Sequence, residues 1–546
     1  MNPADISDLW WRTAVIYCLD VETFQDSDGD GCGDFPGLSR RIDDLAALGV
    51  TCIWLMPFQP TPNRDDGYDI SDFYGVDRRL GDLGHVTDMI RIAHNRGIRV
   101  VMDLVVNHTS DRHPWFVSAR RSRDSKHRDY YVWRDHPPKG EQKVVFPGEE
   151  SSAWEFDDRT RQYFQHSFYR HQPDLNLANP QVRAEIARVI GFWLGLGIDG
   201  FRVDAVPFLI TREGAPDTQD PHSFLRELHR YAGRREGSAL LLGEVGLSHE
   251  DQLAYFGETG TELDMQFDFL TAETIFLALA RKEATPLARV LSSRPRVDER
   301  QGWATFLRNH DELSLELLGE KEREEVFAAF APEEHQRVYG RGIVRRLAPM
   351  LEDDPRRLRL AYSLLFSLPG APMLFYGEEI GMGELDGDLG REAVRGPMQW
   401  DAGPEGGFTT ARRSRRRSAT GGYGPAHVNV HDQRRDPESL WSFISVLAAR
   451  YRSTPEIAWG NLEVLDAGDP RVLVHEATFG EISFIALHNF SPEPLTATLR
   501  ELPEGRTATV LVEHAGSTPH GDHTRQHLAG YGFRWLRTSP ESASVA

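Results

Sequence analysis

Short hydrophobic runs alternate along this chain with longer stretches of helical periodicity. The runs are rich in Val, Ile, Leu and Phe, and several stop abruptly at a polar residue, which is typical of buried parallel strands. The stretch 179–196 begins with Asn179 as a cap and Pro180 in the first turn, and it predicts a helix. Eight runs are predicted as strands: Ala14–Tyr17, Thr51–Leu55, Arg99–Leu104, Gly200–Val203, Leu240–Gly243, Met265–Phe269, Trp303–Leu307 and Ala371–Tyr376.

Eight strands alternating with helices predict an α/β fold, a (β/α)₈ TIM barrel. The alternation breaks after the third strand, and the gap is too long for an ordinary loop, so an inserted domain is expected there. A second insertion, about 312–354, carries the charged helical stretch 320–325 and is expected to fold over the pocket as a lid. Alternating strands near the end predict an antiparallel β-domain. The predicted boundaries are 1–106 for the first part of the barrel, 107–176 for the inserted domain, 177–453 for the second part and 454–546 for the β-domain.

Composition narrows the classes of partner. The chain has 546 residues and a formal net charge of −21, which argues against nucleic acid or an anionic membrane as a partner and favours a neutral substrate. The three cysteines, Cys18, Cys32 and Cys52, are too few for a disulfide framework and fit a reducing compartment. With no basic and apolar leader and no run of about 18 apolar residues, a cytoplasmic protein is expected. The arginine-rich run 412–417 is predicted as a solvated loop, and the oligomeric state stays open, a homo-oligomer included.

Carboxylates lie at or near the ends of several predicted strands. Asp204 and Glu244 follow consecutive strands, and neighbouring strands lie about 4.7–4.9 Å apart, so their carboxyl groups are expected to flank one bond. Retaining glycosidases place two carboxyl groups about 5–5.5 Å apart. Arg202 lies two residues before Asp204 on the same face of its strand, where it would keep that carboxylate ionised; a purely structural ion pair is the alternative. The four segments that carry this pattern are Asp103-Leu-Val-Val-Asn-His108, Gly200-Phe-Arg-Val-Asp204, Gly243-Glu244-Val245 and Arg308-Asn-His-Asp311.

The order and the residues of these four segments resemble the α-amylase family, glycoside hydrolase family 13. The resemblance implies that Asp204 is the nucleophile, that Glu244 is the acid/base and that Asp311 is a third carboxylate, which grips the sugar 2- and 3-hydroxyls. It also implies that His108 and His310 hydrogen-bond the same glucose ring. Further stretches resemble the oligo-1,6-glucosidase branch and, within it, the trehalose synthases: 107–116, 172–176, 192–202, 307–313, 345–349 and 377–383.

The same resemblance supplies a glucose pocket. Tyr68 resembles the aromatic platform under the ring, and Asp65 matches an acid at the far hydroxyl end of the terminal glucose. The companion cation is expected to be Arg395, in a Val-Arg-Gly-Pro-Met-Gln-Trp segment where relatives have Thr at Gly396. An Asp65–Arg395 pair would wall off the pocket beyond one glucose and restrict the protein to chain ends or disaccharides.

An acidic loop follows the first predicted strand. Side chains of Asp26, Asp28, Asp30 and Asp34 and the carbonyl of Cys32 occupy the first oxygen positions of an EF-hand-like loop, with Gly31 at its sixth position. The twelfth position is Gly37, not a bidentate Glu. A similar loop in the α-amylase family binds Ca²⁺, so a structural Ca²⁺ is expected, and a solvated acidic turn is the alternative. No organic cofactor is expected.

The expected function is trehalose-synthase-like glucosyl transfer on small α-glucosides, namely maltose, trehalose and short maltooligosaccharides. One departure concerns the segment after the acid/base. Relatives continue as Ala-Asn-Gln-Trp-Pro, whereas here the segment is Val245-Gly-Leu-Ser-His249, and losing those polar groups would admit water. The alternatives are a hydrolytic α-1,4-glucosidase or α-amylase on short maltooligosaccharides and, more remotely, a noncatalytic sugar-binding barrel.

Overall fold

The structure is a computed structural model. It describes residues 7–138, 144–210, 220–258, 260–387, 389–501, 505–514, 516, 518–519 and 524–541, so both ends of the predicted domain ranges, 1 and 546, lie outside the described residues. Within these residues, no helix is long and apolar enough to cross a bilayer.

The strands of the described residues form one closed barrel and several small sheets. Eight parallel strands close the barrel in the order β1-β14-β10-β9-β8-β7-β3-β2, which confirms the predicted (β/α)₈ fold. The predicted strands shift by at most two residues at either end. The strands are β1 (Ile16–Leu19), β2 (Cys52–Leu55), β3 (Arg99–Leu104), β4 (Trp133–Arg134), β5 (Trp154–Asp157), β6 (Gln162–Gln165), β7 (Gly200–Val203), β8 (Leu240–Gly243), β9 (Met265–Phe267), β10 (Gly302–Phe306), β11 (Leu313–Ser314), β12 (Arg337–Val338), β13 (Gly342–Ile343), β14 (Ala371–Phe375), β15 (Asn461–Leu465), β16 (Val472–Phe479), β17 (Ile482–Asn489), β18 (Leu495–Thr498), β19 (Arg506–Glu513), β20 (Thr518–Pro519), β21 (Arg525–Leu528) and β22 (Phe533–Pro540).

Helices surround the barrel and cover its apolar outer face. Asn179 caps the helix that was predicted to start there: its side chain accepts a hydrogen bond from the N–H of Gln181, and Pro180 occupies the first turn. The helices are α1 (Val21–Phe24), α2 (Phe35–Leu48), α3 (Leu83–His94), α4 (Pro114–Ala119), α5 (Pro180–Gly195), α6 (Val206–Ile210), α7 (Ser223–Arg235), α8 (His249–Phe256), α9 (Phe269–Arg281), α10 (Thr285–Ser293), α11 (Glu320–Phe330), α12 (Leu347–Met350), α13 (Pro355–Ser367), α14 (Val430–Gln433), α15 (Leu440–Arg452) and α16 (Pro455–Trp459).

Two excursions of the chain lie at the C-terminal mouth of the barrel. The first follows β3 and contains the antiparallel sheet β4-β6-β5, and the second follows β10 and contains the sheet β11-β13-β12 with helix α11. They contact each other: Arg341 donates to the carbonyl of Val145 at 2.7 Å, and the rings of Tyr339 and Phe146 lie 5.1 Å apart. The second excursion is therefore held above the barrel mouth by the first.

The C-terminal region is antiparallel β-structure, as predicted. It contains a five-stranded sheet, β15-β16-β17-β22-β19, and a three-stranded sheet, β18-β21-β20. The larger sheet docks on helix α13 of the barrel through buried polar contacts. His488 and Ser363 hydrogen-bond at 2.9 Å, Trp535 donates to the same hydroxyl, and the ring of His475 contacts the carbonyl of Ser367 at 3.0 Å.

Candidate active site

The carboxylates singled out in the sequence meet at one end of the barrel. Asp103 is the penultimate residue of β3, Asp204 directly follows β7 and Glu244 directly follows β8. Asp311 lies in the segment that follows β10. Because all eight strands are parallel, these four residues share the C-terminal face, where TIM-barrel enzymes carry their active sites.

A single guanidinium joins three of the carboxylates. Arg202 donates to Asp103 Oδ1 at 2.6 Å and to Asp204 Oδ1, and its second terminal nitrogen lies 2.9 Å from Glu244 Oε2. Its side chain is only 2% exposed and stacks 5.1 Å from the ring of Trp54, which itself donates to Asp103 at 2.9 Å. Glu244 also accepts from the N–H of Ala205 at 2.9 Å. Both carboxyl groups of the predicted pair are thus fixed around one cation.

Burial sets the proton balance of this cluster. Loss of hydration raises the pKa of Asp204 well above its usual range, the Arg202 guanidinium opposes that rise, and the nearby carboxylates Glu244 and Asp103 add to it. Burial likewise raises the pKa of Asp103, against the influence of Arg202. One cation therefore contacts three carboxylates, and the two that are buried, Asp103 and Asp204, have raised pKa values. Arg202 favours the ionised form of Asp204, which is the form that the nucleophile of a retaining glycosidase needs.

Asp311 has the opposite environment. Burial alone would raise its pKa, but His310, Arg391 and Arg395 hold that pKa well below its usual range. Asp311 Oδ1 receives bonds from Arg391 at 2.7 Å and from Arg395 at 3.0 Å, and His310 Nε2 lies 3.1 Å from its other oxygen. Asp311 is therefore ionised and fixed from three sides, as a carboxylate that accepts bonds from sugar hydroxyls should be.

Tyr68 and the two histidines line the space between these groups. The Tyr68 hydroxyl lies 2.7 Å from His310 Nε2, and the two rings stack at 5.5 Å with 9° between their planes. His108 Nε2 contacts the carbonyl of Tyr68 at 3.2 Å. Desolvation lowers the pKa of His108 to about 4, so its ring is neutral near pH 7 and donates a single N–H.

The expected pair between Asp65 and Arg395 is wrong. Asp65 Oδ1 receives its charged bond from Arg391 at 2.9 Å, whereas Arg395 donates to Asp66 at 2.8 Å and to the carbonyl of His310. Arg391 lies in the 3₁₀ helix Gly390–Val394, and Arg395 is its C-cap. Four residues are more than one turn of a 3₁₀ helix, so the two side chains leave in different directions: Arg391 lines the cavity, and Arg395 is buried. The wall at the far end of the pocket exists, but Arg391 forms it.

The arginine-rich run is not simply a solvated loop. Arg416 has a side chain that is 17% exposed, and its guanidinium ion-pairs with Asp66, Glu22 and Glu392. Its neighbour Arg415 pairs with Asp30 at 2.6 Å. The run therefore supplies a cation to the buried carboxylates of Glu22 and Asp66 and a second cation to Asp30 in the acidic loop.

The cavity at the barrel mouth has a volume of about 340 Å³. Its size is near the lower end of the range for small-molecule pockets, roughly 300–1,000 Å³. Arg202, His310 and Arg395 are almost fully buried and act on this space through the carboxylates that they contact. The wall includes most of the predicted site residues, joined by Arg391, namely Asp65, Tyr68, His108, Asp204, Glu244 and Asp311.

The acidic loop brings part of its predicted ligand set together. Carboxylate oxygens of Asp26, Asp28 and Asp34 lie within 4.8 Å of one another, which fits a hard cation that prefers oxygen ligands. Asp30 points instead at Arg415 and accepts from the N–H of Cys32. Burial raises the pKa of the Cys32 thiol to about 12, and the carbonyl of Cys32 remains the predicted donor to a hard cation.

Sequence reasoning missed several residues of the site. Arg391 carries no signal of its own, because the motif that was recognised begins three residues later. Phe146 and Phe168, on the wall of the cavity, come from the excursion after β3, where an aromatic-rich composition was the one available signal. Asp103 ends a recognised strand and was quoted with its motif, but its contact with Arg202 depends on strand register.

Comparisons with known proteins agree with this geometry. The family model described as "Alpha amylase, catalytic domain" matches residues 18–331 and 342–460, and "Sucrose hydrolase-like, C-terminal domain" matches 482–537. A trehalose synthase/amylase of Mycobacterium tuberculosis is 39% identical over 98% of this chain and 91% of its own length. A trehalose synthase of Thermus thermophilus is 42% identical over 98% of this chain and 56% of its own length.

Solved structures place the fold in the same group. An inactive double mutant of the trehalulose synthase MutB, solved with isomaltulose, superposes with a TM-score of 0.80 at 26% identity, covering 97% of this chain and 99% of its own. Its resemblance extends over both the barrel and the C-terminal β-structure. The chain therefore belongs to the α-amylase family, glycoside hydrolase family 13, as a trehalose-synthase-like enzyme that transfers or hydrolyses glucosyl groups.

Proposed function

We propose that the protein interconverts maltose and trehalose through a β-glucosyl ester on Asp204, with some hydrolysis. The observation that carries this proposal is the Arg202 cluster, in which one guanidinium fixes Asp204 and Glu244 at the mouth of a barrel closely related to trehalose synthases.

In the first step, Asp204 attacks the anomeric carbon of the bound α-glucoside. The bond between that carbon and the glycosidic oxygen breaks, and Glu244 gives its proton to the leaving oxygen. Arg202 orients both carboxyl groups and offsets the charge on Asp204. Asp311, held ionised by Arg391, Arg395 and the contact with His310, accepts bonds from the ring hydroxyls and favours the distorted ring of the transition state.

In the second step, an acceptor hydroxyl attacks the anomeric carbon, the bond between that carbon and Asp204 breaks, and the hydroxyl loses its proton to Glu244. If the freed glucose turns within the site and presents its anomeric hydroxyl, trehalose forms; if water attacks, glucose is released. The pair Asp65–Arg391 closes the far end of the pocket, so a terminal glucosyl unit fits and the middle of a long chain does not. Disaccharides and short maltooligosaccharides are the substrates of that size.

A hydrolytic α-glucosidase is the second candidate, favoured by the segment after the acid/base. Gly246 is exposed, and Leu247 stands in the cavity wall in place of the polar residues of relatives. A wall of this kind holds a departing glucose less firmly, which would let water compete.

Incubation with maltose, followed by chromatography that resolves trehalose, maltose and glucose, tests the proposal. We expect trehalose to appear ahead of free glucose; glucose alone would establish the hydrolase. Asp204→Asn should lower turnover of every α-glucoside by at least about 10³-fold, because no ester can form. The matched control is Asp88→Asn, a side chain that is 68% exposed on α3, and a D204N variant that is folded and still active would exclude this nucleophile.

We also propose a structural Ca²⁺ at the acidic loop, held by Asp26, Asp28 and Asp34. The close approach of these three carboxylates supports it. Asp26, Asp28 and Asp34 are not among the residues that line the cavity with Asp204 and Glu244, so the ion would stabilise the fold without taking part in the reaction.

Thermal unfolding with and without a chelator tests the ion. We expect the chelator to lower Tm in the wild type and to have a smaller effect in Asp28→Asn, because the exposed Asp28 would supply one ligand. D88N again serves as the control. Equal Tm values with and without chelator would exclude a bound ion that stabilises the fold.

We retain the prediction of a cytoplasmic protein, which is supported by three free, buried cysteines.

A further inference from the structure

The side of the cavity next to Glu244 is largely apolar. Leu247 follows the acid/base, Phe269 follows β9, and Leu317 reaches in from the excursion after β10. Pro207 and Phe208, which follow Asp204 in the chain, also line the cavity, and Phe208 is 37% exposed. Since Glu244 protonates the leaving oxygen, this is the side on which the leaving group or acceptor must lie.

The polar groups near this wall are already used within the protein. Glu273 accepts from the N–H of Leu317 at 2.9 Å. Arg341 donates to a backbone carbonyl at 2.7 Å and lies 3.3 Å from Glu316, and Asn309 accepts from the N–H of Asp311. These bonds fasten the second excursion and the loop after β10, which reduces the number of hydrogen bonds that these groups can offer to an acceptor.

Glu312 also lines the cavity, and it directly follows Asp311 in the chain. Burial raises its pKa, and Arg391, the cation at the far end of the glucose pocket, opposes that rise. An acceptor next to Glu244 therefore meets Leu247, Phe269 and Leu317 together with polar groups that already have partners within the protein.

Such a surface discriminates between acceptors. A sugar that enters it gives up hydrogen bonds to water without full replacement, which weakens its binding. An aromatic ring or an alkyl chain gains by leaving water and packs against Leu and Phe side chains.

We propose that this side of the site takes an aryl or alkyl alcohol in preference to glucose, so that the enzyme makes and cleaves α-glucosides with apolar aglycones. The inference rests on the proposed function, because it needs the ester on Asp204. In the transfer step the bond between the anomeric carbon and Asp204 breaks, a bond to the alcohol oxygen forms, and the hydroxyl proton passes to Glu244.

Acceptor competition on a common intermediate tests the proposal. α-Glucosyl fluoride serves as the donor, because its small leaving group forms the ester without using the apolar wall. Benzyl alcohol and glucose are supplied together at equal concentration, and benzyl α-glucoside, disaccharide and free glucose released from the donor are measured. We expect at least tenfold more benzyl α-glucoside than disaccharide, and an equal or larger yield of disaccharide overturns the inference.

A variant links the preference to the wall. Leu247→Gln keeps a similar volume and adds hydrogen-bonding groups, so we expect the ratio of benzyl α-glucoside to disaccharide to fall about tenfold. Leu253→Gln is the matched control, since Leu253 is 39% exposed on α8 and outside the cavity wall, and its ratio should equal that of the wild type. An unchanged ratio in L247Q overturns the assignment to this wall.

The outcomes separate this inference from the proposed function. If the fluoride is consumed and disaccharide is the main transfer product, the apolar acceptor preference is wrong, but the proposed glucosyl ester on Asp204 still stands. Failure of the folded wild type to consume the fluoride removes both.

Discussion

Arg391 is the residue whose removal should reveal most about the glucose pocket. Its guanidinium bridges Asp65 at 2.9 Å and Asp311 at 2.7 Å, lies 4.8 Å from the centre of the Phe146 ring and is 14% exposed. Arg391→Met keeps much of the side-chain length and the contact with Phe146 but removes both charged bonds. Two buried carboxylates then lose a shared cation, although Asp311 keeps Arg395.

The size of the effect follows from these contacts. Removing one partner of a buried ion pair costs about 3–5 kcal/mol. We take the lower end, because Asp311 keeps a second cation and Asp65 keeps a hydrogen bond from Gln172 at 2.8 Å. About 3 kcal/mol is therefore the expected loss in the free energy of unfolding. Because Asp65 and Asp311 are also less firmly fixed around the substrate, we expect kcat/KM to fall by roughly 100-fold, which corresponds to about 2.7 kcal/mol of transition-state stabilisation. Burial already raises the pKa of Asp65, and without Arg391 that pKa rises further, so the acid limb of the rate profile should move to higher pH.

The assay is kcat/KM for maltose across pH 5–9, with the unfolding temperature measured alongside. Arg391→Lys keeps the charge without the planar fork and should fall between R391M and the wild type. Arg281→Met is the matched control, because Arg281 pairs with Glu325 on the outside of the barrel. If folded R391M keeps kcat/KM within about threefold and an unshifted acid limb, Arg391 does not hold the wall of the glucose pocket.

Two further predictions concern buried titratable groups. Burial raises the pKa of Glu273 to about 8. Near pH 7 the folded state therefore holds a proton that the unfolded state has lost, and the free energy of unfolding should decrease as the pH rises toward 9. The decrease in Tm between pH 7 and 9 should be smaller in Glu273→Gln, and equal decreases would contradict the assignment. Burial lowers the pKa of His475 to about 4 and the pKa of His488 well below its usual range. The stability that the two neutral rings contribute is therefore present above about pH 6.5 and is lost as the pH falls. Calorimetry should show a smaller loss of Tm from pH 7 to 5 in His475→Leu, and an unchanged loss would show that this pair does not control docking of the β-sheet on α13.

The barrel was predictable from the sequence because each of its strands carries its own signal. A buried parallel strand is hydrophobic on both faces, so a short run such as Arg99–Leu104 is recognisable without any knowledge of its neighbours. The residues at the ends of such strands follow from topology, which is why Asp204 and Glu244 could be placed at one face. The resemblance of the four segments to the α-amylase family then gave each of these strand-end residues an expected role.

The partners of those residues were less predictable, because they depend on loop paths. Two arginines in the segment 390–395 are equally able to pair with Asp65 by charge and length, and only the folded turn selects Arg391. The run 412–417 looks solvated by composition, yet it crosses back to the barrel mouth, where Arg416 meets Asp66. Long-range pairing of this kind leaves no periodic signal in the sequence.

The distribution of charge separates two tasks within the cavity. Around Arg202, one cation contacts three carboxylates, and burial raises the pKa values of Asp103 and Asp204. Around Asp311, His310, Arg391 and Arg395 hold the pKa of that carboxyl well below its usual range. The two ends of the cavity therefore differ in the ratio of cations to carboxylates, and only Asp311 is held firmly in the ionised form. Arg391 and Arg395 are therefore as much a part of the candidate active site as the carboxylates that they contact.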